Sequence, residues 1–313
     1  MAKIKDDELF TGYQANFIAG HHVPLPKLNE EQRKDVSVDE NGNSVLNYIN
    51  YSLQISSFHK FPFYTASNIN GEEIQKVARK DSWRKDPRIP KDAQWGNELY
   101  TAANSFFDRG HMTKREDVQW GETIEKAVKA ADSTFYFTNS VPQHRALNRA
   151  IWRRLEDYIL HTETKKKDLK ICVFTGPVLT EDNPYFVTLI NDKTIQIPVI
   201  FWKVVLFQKN DGLLYRVGFM MSQYKLLSVD KILMELETDS NLFMLSKDSE
   251  TYQVRVPLIE ELSGITFPSA VDIYNDERSI RLILKEIEID SDLESDEFLD
   301  DDFLGFSIEN LII

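Results

Sequence analysis
The chain has 313 residues, 42% of them hydrophobic and 12% aromatic, enough apolar material for one large domain or two small ones and too much for a disordered chain. Its formal net charge is −13, which at first sight excludes a partner as acidic as a nucleic acid. The excess is local: residues 286–302 hold ten acids and no Lys or Arg, and with those and Glu309 set aside the charge is −2, so a basic cleft elsewhere could still bind phosphates.

The opening residues, Met1 to Glu8, lack the apolar segment of a secretory signal. No apolar run approaches the roughly 18 residues of a membrane span. A soluble cytoplasmic protein with no membrane contact is the default expectation, export by a signal-free route being left open. Residues 1–11 read as a flexible N-terminus. Val23-Pro24-Leu25-Pro26 predicts an extended segment laid along the domain. Tyr48 to Ile55 is β-rich, and Phe61 to Ala66 reads as a second strand closed by a turn at Asn70-Gly71. Residues 76–91 form the densest basic stretch, with Lys76, Arg79, Lys80, Arg84, Lys85, Arg88 and Lys91 against Asp81 and Asp86. Such a stretch is either a solvated loop or a wall that contacts phosphates.

The densest concentration of reactive side chains follows. Phe106-Phe107 leads into Asp108-Arg109-Gly110-His111, with a polar exit from Met112 to Asp117. Residues 122–131 read as a helix, and Phe135 to Ser140 as a buried strand followed by Pro142 and Gln143. Then Leu147, Ile151, Leu155 and Ile159 recur every four residues, with Trp152 beside them, the apolar stripe of an α-helix. Asn148 and Glu156 on that helix are separated by about 12 Å along its axis at about 1.5 Å per residue. They cannot easily hold one ion together; one can ligate it while the other orients its waters. Downstream, Ile171 to Phe174 reads as a central strand containing Cys172, the single cysteine, expected as a small buried core residue. Ile197 to Phe207, with Trp202 and Lys203 inside it, and Leu214 to Met221 read as further strands, and residues 256–265 as a short helix capped by Gly264.

Asp-Arg-Gly-His, then Phe-Thr-Asn-Ser-Val-Pro-Gln, then Leu-Asn and Trp-(two residues)-Leu-Glu on one helix together resemble the DNA/RNA non-specific endonuclease family, which includes endonuclease G. The resemblance runs from about residue 12 to residue 274. It implies an α+β fold: a ββα-metal nuclease core with a central, mainly antiparallel sheet flanked by helices. The endonuclease domain is expected over 12–274, with 275–313 as an acidic C-terminal extension. The acidic stretch reads either as a solubility tail or as an autoinhibitory one that competes with nucleic acid for the basic segment.

Phosphodiester hydrolysis must deprotonate water, neutralise a pentacovalent phosphate and stabilise the leaving 3′ oxygen. The resemblance implies His111 as general base and Arg109 on the scissile phosphate. It implies Asn148 as direct ligand of Mg²⁺, with Mn²⁺ as substitute, and Glu156 as holder of metal-bound waters. Asp108 is expected to anchor the turn, and Asn139 and Gln143 to support the site and orient the imidazole. A phosphate-binding arginine is implied upstream; Arg79 and Arg84 are the nearest matches, and spacing does not choose between them. His144 is outside the pattern; as a metal ligand it would indicate a histidine-rich variant of the site. The expected substrates are DNA and RNA, cut with little sequence preference. The alternatives are a nuclease restricted to one nucleic-acid type by a partner, such as a defence effector or toxin, and a catalytically silent binding module. A homodimer and an inhibitor or regulatory partner stay open.

Overall fold
The structure, a computed structural model, describes residues 10–148, 155–165, 168–234, 250–286, 306–308 and 310–313, with 147, 148, 161–163, 165, 284–286, 306 and 307 described by backbone alone. The strands are β1 Lys27–Leu28, β2 Leu46–Asn47, β3 Tyr51–Ile55, β4 Pro62–Asn70, β5 Phe107–His111, β6 Ser140–His144, β7 Lys170–Pro177, β8 Ile200–Gln208, β9 Leu214–Ser222, β10 Thr251–Val254, β11 Ile265–Thr266, β12 Val271–Asp272, β13 Ile280–Arg281, β14 Leu284–Glu286 and β15 Phe306–Ile308. The helices are α1 Glu30–Lys34, α2 Asn97–Tyr100, α3 Ile124–Ser133, α4 Arg145–Asn148, α5 Tyr224–Val229 and α6 Val256–Ser263. Residues 155–157 are helical and run into a π-helical turn, Tyr158–Lys165.

One large sheet organises the molecule, in the order β13-β10-β9-β8-β7-β4-β3-β2, with β12 joining β9. Its pairings are antiparallel except for β12 against β9. The central strands are covered on both faces: all nine residues of β4 are buried, the polar Thr65, Ser67, Asn68 and Asn70 among them. Tyr51, Leu53 and Ile55, at the two-residue period of β3, meet Ala130 of α3 and Val118 in a separate apolar cluster. α3 starts at Ile124, two residues later than the pattern suggested, because the Thr123 side chain accepts from the Lys126 amide at 3.2 Å and fixes the first turn. α6 ends where expected, at Gly264 with φ of 68°. No helix among the described residues is long and apolar enough to cross a membrane.

Apart from this sheet stands the pair β5–β6, with Asp108 opposite Gln143 and His111 opposite Ser140. One sequence expectation needs correction here. Phe135 to Ser140 is not one strand: Phe137–Asn139 forms a 3₁₀ turn and the strand begins at Ser140. The reason is hydrogen bonding. The Arg84 amide donates to Phe135 O and the Phe137 amide to Arg84 O, so this stretch pairs with the basic segment instead of with the strand of His111. β6 leads directly into α4, completing strand, strand, helix. Leu155 is fully buried and Ile159 7% exposed, as the stripe requires; Ile151 and Trp152 lie outside the described residues.

A buried side-chain amide fastens β6 to the main sheet. Gln223, fully buried just after β9, accepts from the His144 amide at 2.7 Å and donates to Pro142 O at 3.0 Å and Pro198 O at 2.7 Å. Replacing it by Leu leaves one N–H and two carbonyls buried without partners. Gln223→Leu is expected to destabilise the protein by about 2–4 kcal/mol, read as a lower urea midpoint at unchanged slope.

Candidate active site
The ββα unit and the loops around it enclose a cleft of about 360 Å³. His111 and Arg109, at the end of β5, line it together with Asp108, Gln143 from β6, Glu156 from the helical segment and Arg79 from the basic stretch. The chain therefore gathers into one place six of the residues singled out in the sequence. Of the others, Arg84 stands apart, and Asn148 is described by its backbone alone. Arg84 pairs with Asp132 at 2.7 Å, and its guanidinium lies 4.1 Å from the centre of the Tyr136 ring; it does not line the cleft. Asn148 is the last residue of α4, and its side chain lies outside the described residues.

The imidazole of His111 sits among aromatic rings: Trp83 at 4.7 Å, tilted by 53°, and Phe135 edge-on at 5.2 Å. Its Nε2 is buried and makes no hydrogen bond. Burial, and then the charge of Arg79, push the imidazole down to about 3, against an opposing pull from Asp81. At neutral pH the ring is therefore uncharged. Arg109 donates to Asn97 Oδ1 at 2.8 Å and faces the Trp83 and Tyr100 rings at 5.9 and 5.6 Å, while its Nε is buried without a partner. Gln143 Nε2 is likewise buried and unpartnered. A Cβ on Gly110 would fall 2.3 Å from the Gln143 amide, so only glycine in the middle of the motif lets that side chain cross into the cleft.

Asn139 supports the site from behind. Fully buried, it accepts from the Thr113 amide at 2.8 Å and donates to Thr113 O at 3.0 Å and Thr134 O at 3.1 Å, while its carbonyl receives the Met112 amide at 2.9 Å. It holds the backbone just beyond His111; its hydrogen bonds go to that backbone and not to the imidazole. Asp108 Oδ1 is 3.6 Å from Arg145 Nε, joining β5 to the start of α4. His144 faces elsewhere. Its Nδ1 accepts from the Ala146 amide at 3.2 Å, so Nε2 carries the proton and donates to Asp230 Oδ2 at 2.7 Å. Both ring nitrogens are engaged, which removes the histidine-rich variant of the site.

The cleft also holds a charged cluster that the sequence reading missed, with Lys114, Arg115 and Glu116 lining it beside Glu156. Glu156 Oε1 is 3.3 Å from Lys203 Nζ on β8. Lys114 Nζ is 2.8 Å from Glu116 Oε2 and also pairs with Asp157. Burial raises the Glu156 carboxyl, with Lys203 and Lys114 opposing. Burial likewise pushes Asp117 up to about 7 against Lys203 and Lys114. Burial works against the Lys114 ammonium too, but Glu116, Asp157, Glu156 and Asp117 outweigh it and hold it well above its ordinary value. Arg115 donates to Val77 O at 3.0 Å and to Gln119 Oε1 at 2.9 Å, tying the motif's polar exit to the basic stretch and so bringing Arg79 to the rim. Arg79 itself is exposed and paired with Asp81 at 2.8 Å. The missed residues had faint signals: Trp83 is an aromatic among cations, and Lys203 the one charge in an otherwise apolar strand.

A β-hairpin-like pair feeding a helix, with an unpartnered histidine at the end of the first strand and a buried carboxylate on the helix side, defines the ββα-metal nuclease fold. A crystal structure of the EndoG/EndoGI complex shares that fold, with a TM-score of 0.52 over 72% of this chain and 85% of that one, at 22% identity. The chain belongs to the DNA/RNA non-specific endonuclease family, whose model matches residues 29–273. An uncharacterized protein, y4fB of Sinorhizobium fredii, is 33% identical over 83% of this chain and 39% of its own length. The mitochondrial nuclease EXOG of Danio rerio is 30% identical over 55% of this chain and 49% of its own length. Human mitochondrial endonuclease G is 32% identical over 34% of this chain and 36% of its own length. In each case the match spans about half of the relative's length or less.

The buried imidazole makes a pH prediction. The unfolded chain takes up a proton on this histidine below about pH 6.5, and the folded chain does so only near 3. The stability contributed by the neutral ring is therefore full above pH 6.5 and is lost as the pH falls towards 3. Imidazole NMR signals of His111 are expected to stay those of the neutral ring at pH 5; a titration midpoint near 6.5 would contradict the burial.

Proposed function
We propose that this chain is a metal-dependent endonuclease that hydrolyses phosphodiester bonds of DNA and RNA with little sequence preference. The observation that carries the reading is His111, its Nε2 buried without a partner, in a cleft that also holds Arg79, Arg109 and Glu156. Folded proteins seldom leave buried polar atoms unpaired, and Arg109 Nε, Gln143 Nε2 and Glu156 Oε1 share that state around the same cleft. A bound phosphodiester and its water would satisfy the donors.

His111 takes a proton from the attacking water. The phosphodiester anion beside it offsets the neighbouring arginines and lifts the imidazole toward its working range. Arg109 and Arg79 neutralise the charge that develops on the non-bridging phosphoryl oxygens as the new P–O bond forms. The bond to the 3′ oxygen then breaks and that oxygen takes a proton from solvent water, leaving a 5′-phosphate and a 3′-hydroxyl. Asp108 and Asn139 keep β5 and the loop after it in place. No group of three His, Cys, Asp or Glu among the described residues is arranged to chelate an ion. The donors on offer, Asn148 and the Glu156 carboxylate, suit a hard cation that keeps most of its waters, Mg²⁺ or Mn²⁺. Bound there, such a cation would supply Lewis-acid stabilisation of the phosphorane and the leaving oxygen. The EndoG/EndoGI complex illustrates the kind of inhibitor that could control such a cleft.

Plasmid nicking and single-stranded RNA cleavage, each with and without EDTA, test the reading. His111→Ala should lower the rate by about 10²–10⁴ while leaving the circular dichroism spectrum unchanged; a rate within a few-fold of the parent rules out His111 as base. Arg79→Ala should raise the KM for DNA several-fold, whereas Arg84→Ala should lower thermal stability through the lost Asp132 pair without that KM effect. Equal KM changes for the two would place the phosphate contact elsewhere.

A further inference from the structure
Lys203 is the least expected charge in the protein. It lies in β8, between Trp202 and Val204, both fully buried, and is itself 1% exposed. Burying an ammonium costs several kcal/mol unless it is paired and hydrogen-bonded, and a methionine would fill the same space without that cost. The structure supplies both partners. In the β7–β8 register Thr175 stands directly opposite Lys203, and Thr175 Oγ1 accepts from Nζ at 2.8 Å. That bond fixes the ammonium on the rigid centre of the sheet. From there it reaches across to Glu156, which arrives on a different element, the helical segment behind α4, and stops 3.3 Å from its Oε1.

The contact is an ion pair, and the carboxylate it holds lines the cleft. Lys114, Lys203 and Arg115 face the carboxyl groups of Glu116, Asp117, Glu156 and Asp157. What distinguishes Lys203 is its rigid mounting on Thr175 together with its contact to a carboxylate that lines the cleft.

We propose that Lys203 is a positioning residue: held by Thr175, it fixes the Glu156 carboxylate at the cleft so that it can order the waters of a bound divalent cation. The inference rests on the reading of Glu156 given above. It makes Glu156 dependent on the sheet and not only on its own helix.

The test uses the whole chain and two readouts, steady-state cleavage of plasmid DNA and Mn²⁺ binding without DNA, followed by electron paramagnetic resonance. Lys203→Met should lower kcat about tenfold or more with little change in KM, and weaken Mn²⁺ binding about tenfold, the usual range for residues that orient ligands. A lysine that merely neutralised charge would repel the cation, so its removal would tighten Mn²⁺ binding; tighter or unchanged binding overturns the proposal. Because Lys203→Met strands a buried carboxylate, Lys203→Met/Glu156→Gln, which removes both charges, is made alongside. If Lys203 acts through Glu156, the double variant is no slower than Glu156→Gln alone. Multiplied losses overturn this inference while leaving the role of Glu156 standing. A parental rate for Glu156→Gln removes that role and this inference with it. Should Lys203→Met fail to fold, Thr175→Val decides: loss of the hydroxyl is expected to weaken Mn²⁺ binding about threefold by loosening the ammonium, and parental binding refutes the mounting.

Discussion

The cleft depends on two buried side-chain amides that do the work of absent backbone ladder. β5 and β6 pair with each other and with no other strand among the described residues. A two-stranded ribbon is marginal on its own. Asn139 closes one end by gripping the backbone at Thr113 and Thr134, and Gln223 fastens the other end to the rim of the large sheet. Each amide makes three hydrogen bonds in a dry environment, where leaving a partner unmade is costly. The position of His111 relative to the sheet is therefore specified by these hydrogen bonds together with the packing of Phe107, Met112 and Val141 into the main core.

Charge is sorted by depth around this ribbon. The basic stretch is mostly structural: Arg88 binds the fully buried Asp86, Lys85 pairs with Glu98 and Arg84 with Asp132. Tyr48 links the same Asp86 to Thr138, next to Asn139. A segment that looks like a phosphate-binding surface by composition is thus chiefly a brace, with Arg79 as its contribution to the cleft. This division explains how a chain with a net charge of −13 can still present cations where a phosphate would sit.

Local sequence carried the architecture well where one element sufficed to specify itself. The apolar runs that became β7, β8 and β9, the glycine that ends α6 and the four-residue stripe holding Leu155 and Ile159 all follow from period and turn chemistry. The linked motifs also marked His111, Arg109 and Glu156, which the fold gathers at one cleft. What could not be read was pairing at long range. Whether Phe135–Asn139 continues a strand depends on Arg84, some fifty residues earlier, offering both its amide and its carbonyl. The choice between Arg79 and Arg84 likewise depends on Arg115 reaching Val77 and on Asp132 capturing Arg84. Lys203 was visible as an oddity in an apolar strand, but its partner arrives from a helix on the other side of the chain order.

The acidic segment looks different once its flanks are considered. β14 and β15 pair antiparallel, Leu284 opposite Ile308 and Glu286 opposite Phe306. Beyond them the Ile312 backbone exchanges two hydrogen bonds with the buried Gln253 side chain of β10, at 2.7 and 3.0 Å. The described residues on either side of the acidic run are thus held by each other and by the body. The entropy of joining two fixed points grows only with the logarithm of the length between them, about 0.6 kcal/mol for each doubling. The number of carboxylates encoded between these two anchors is therefore a quantity that mutation can tune at little cost to the domain that carries them.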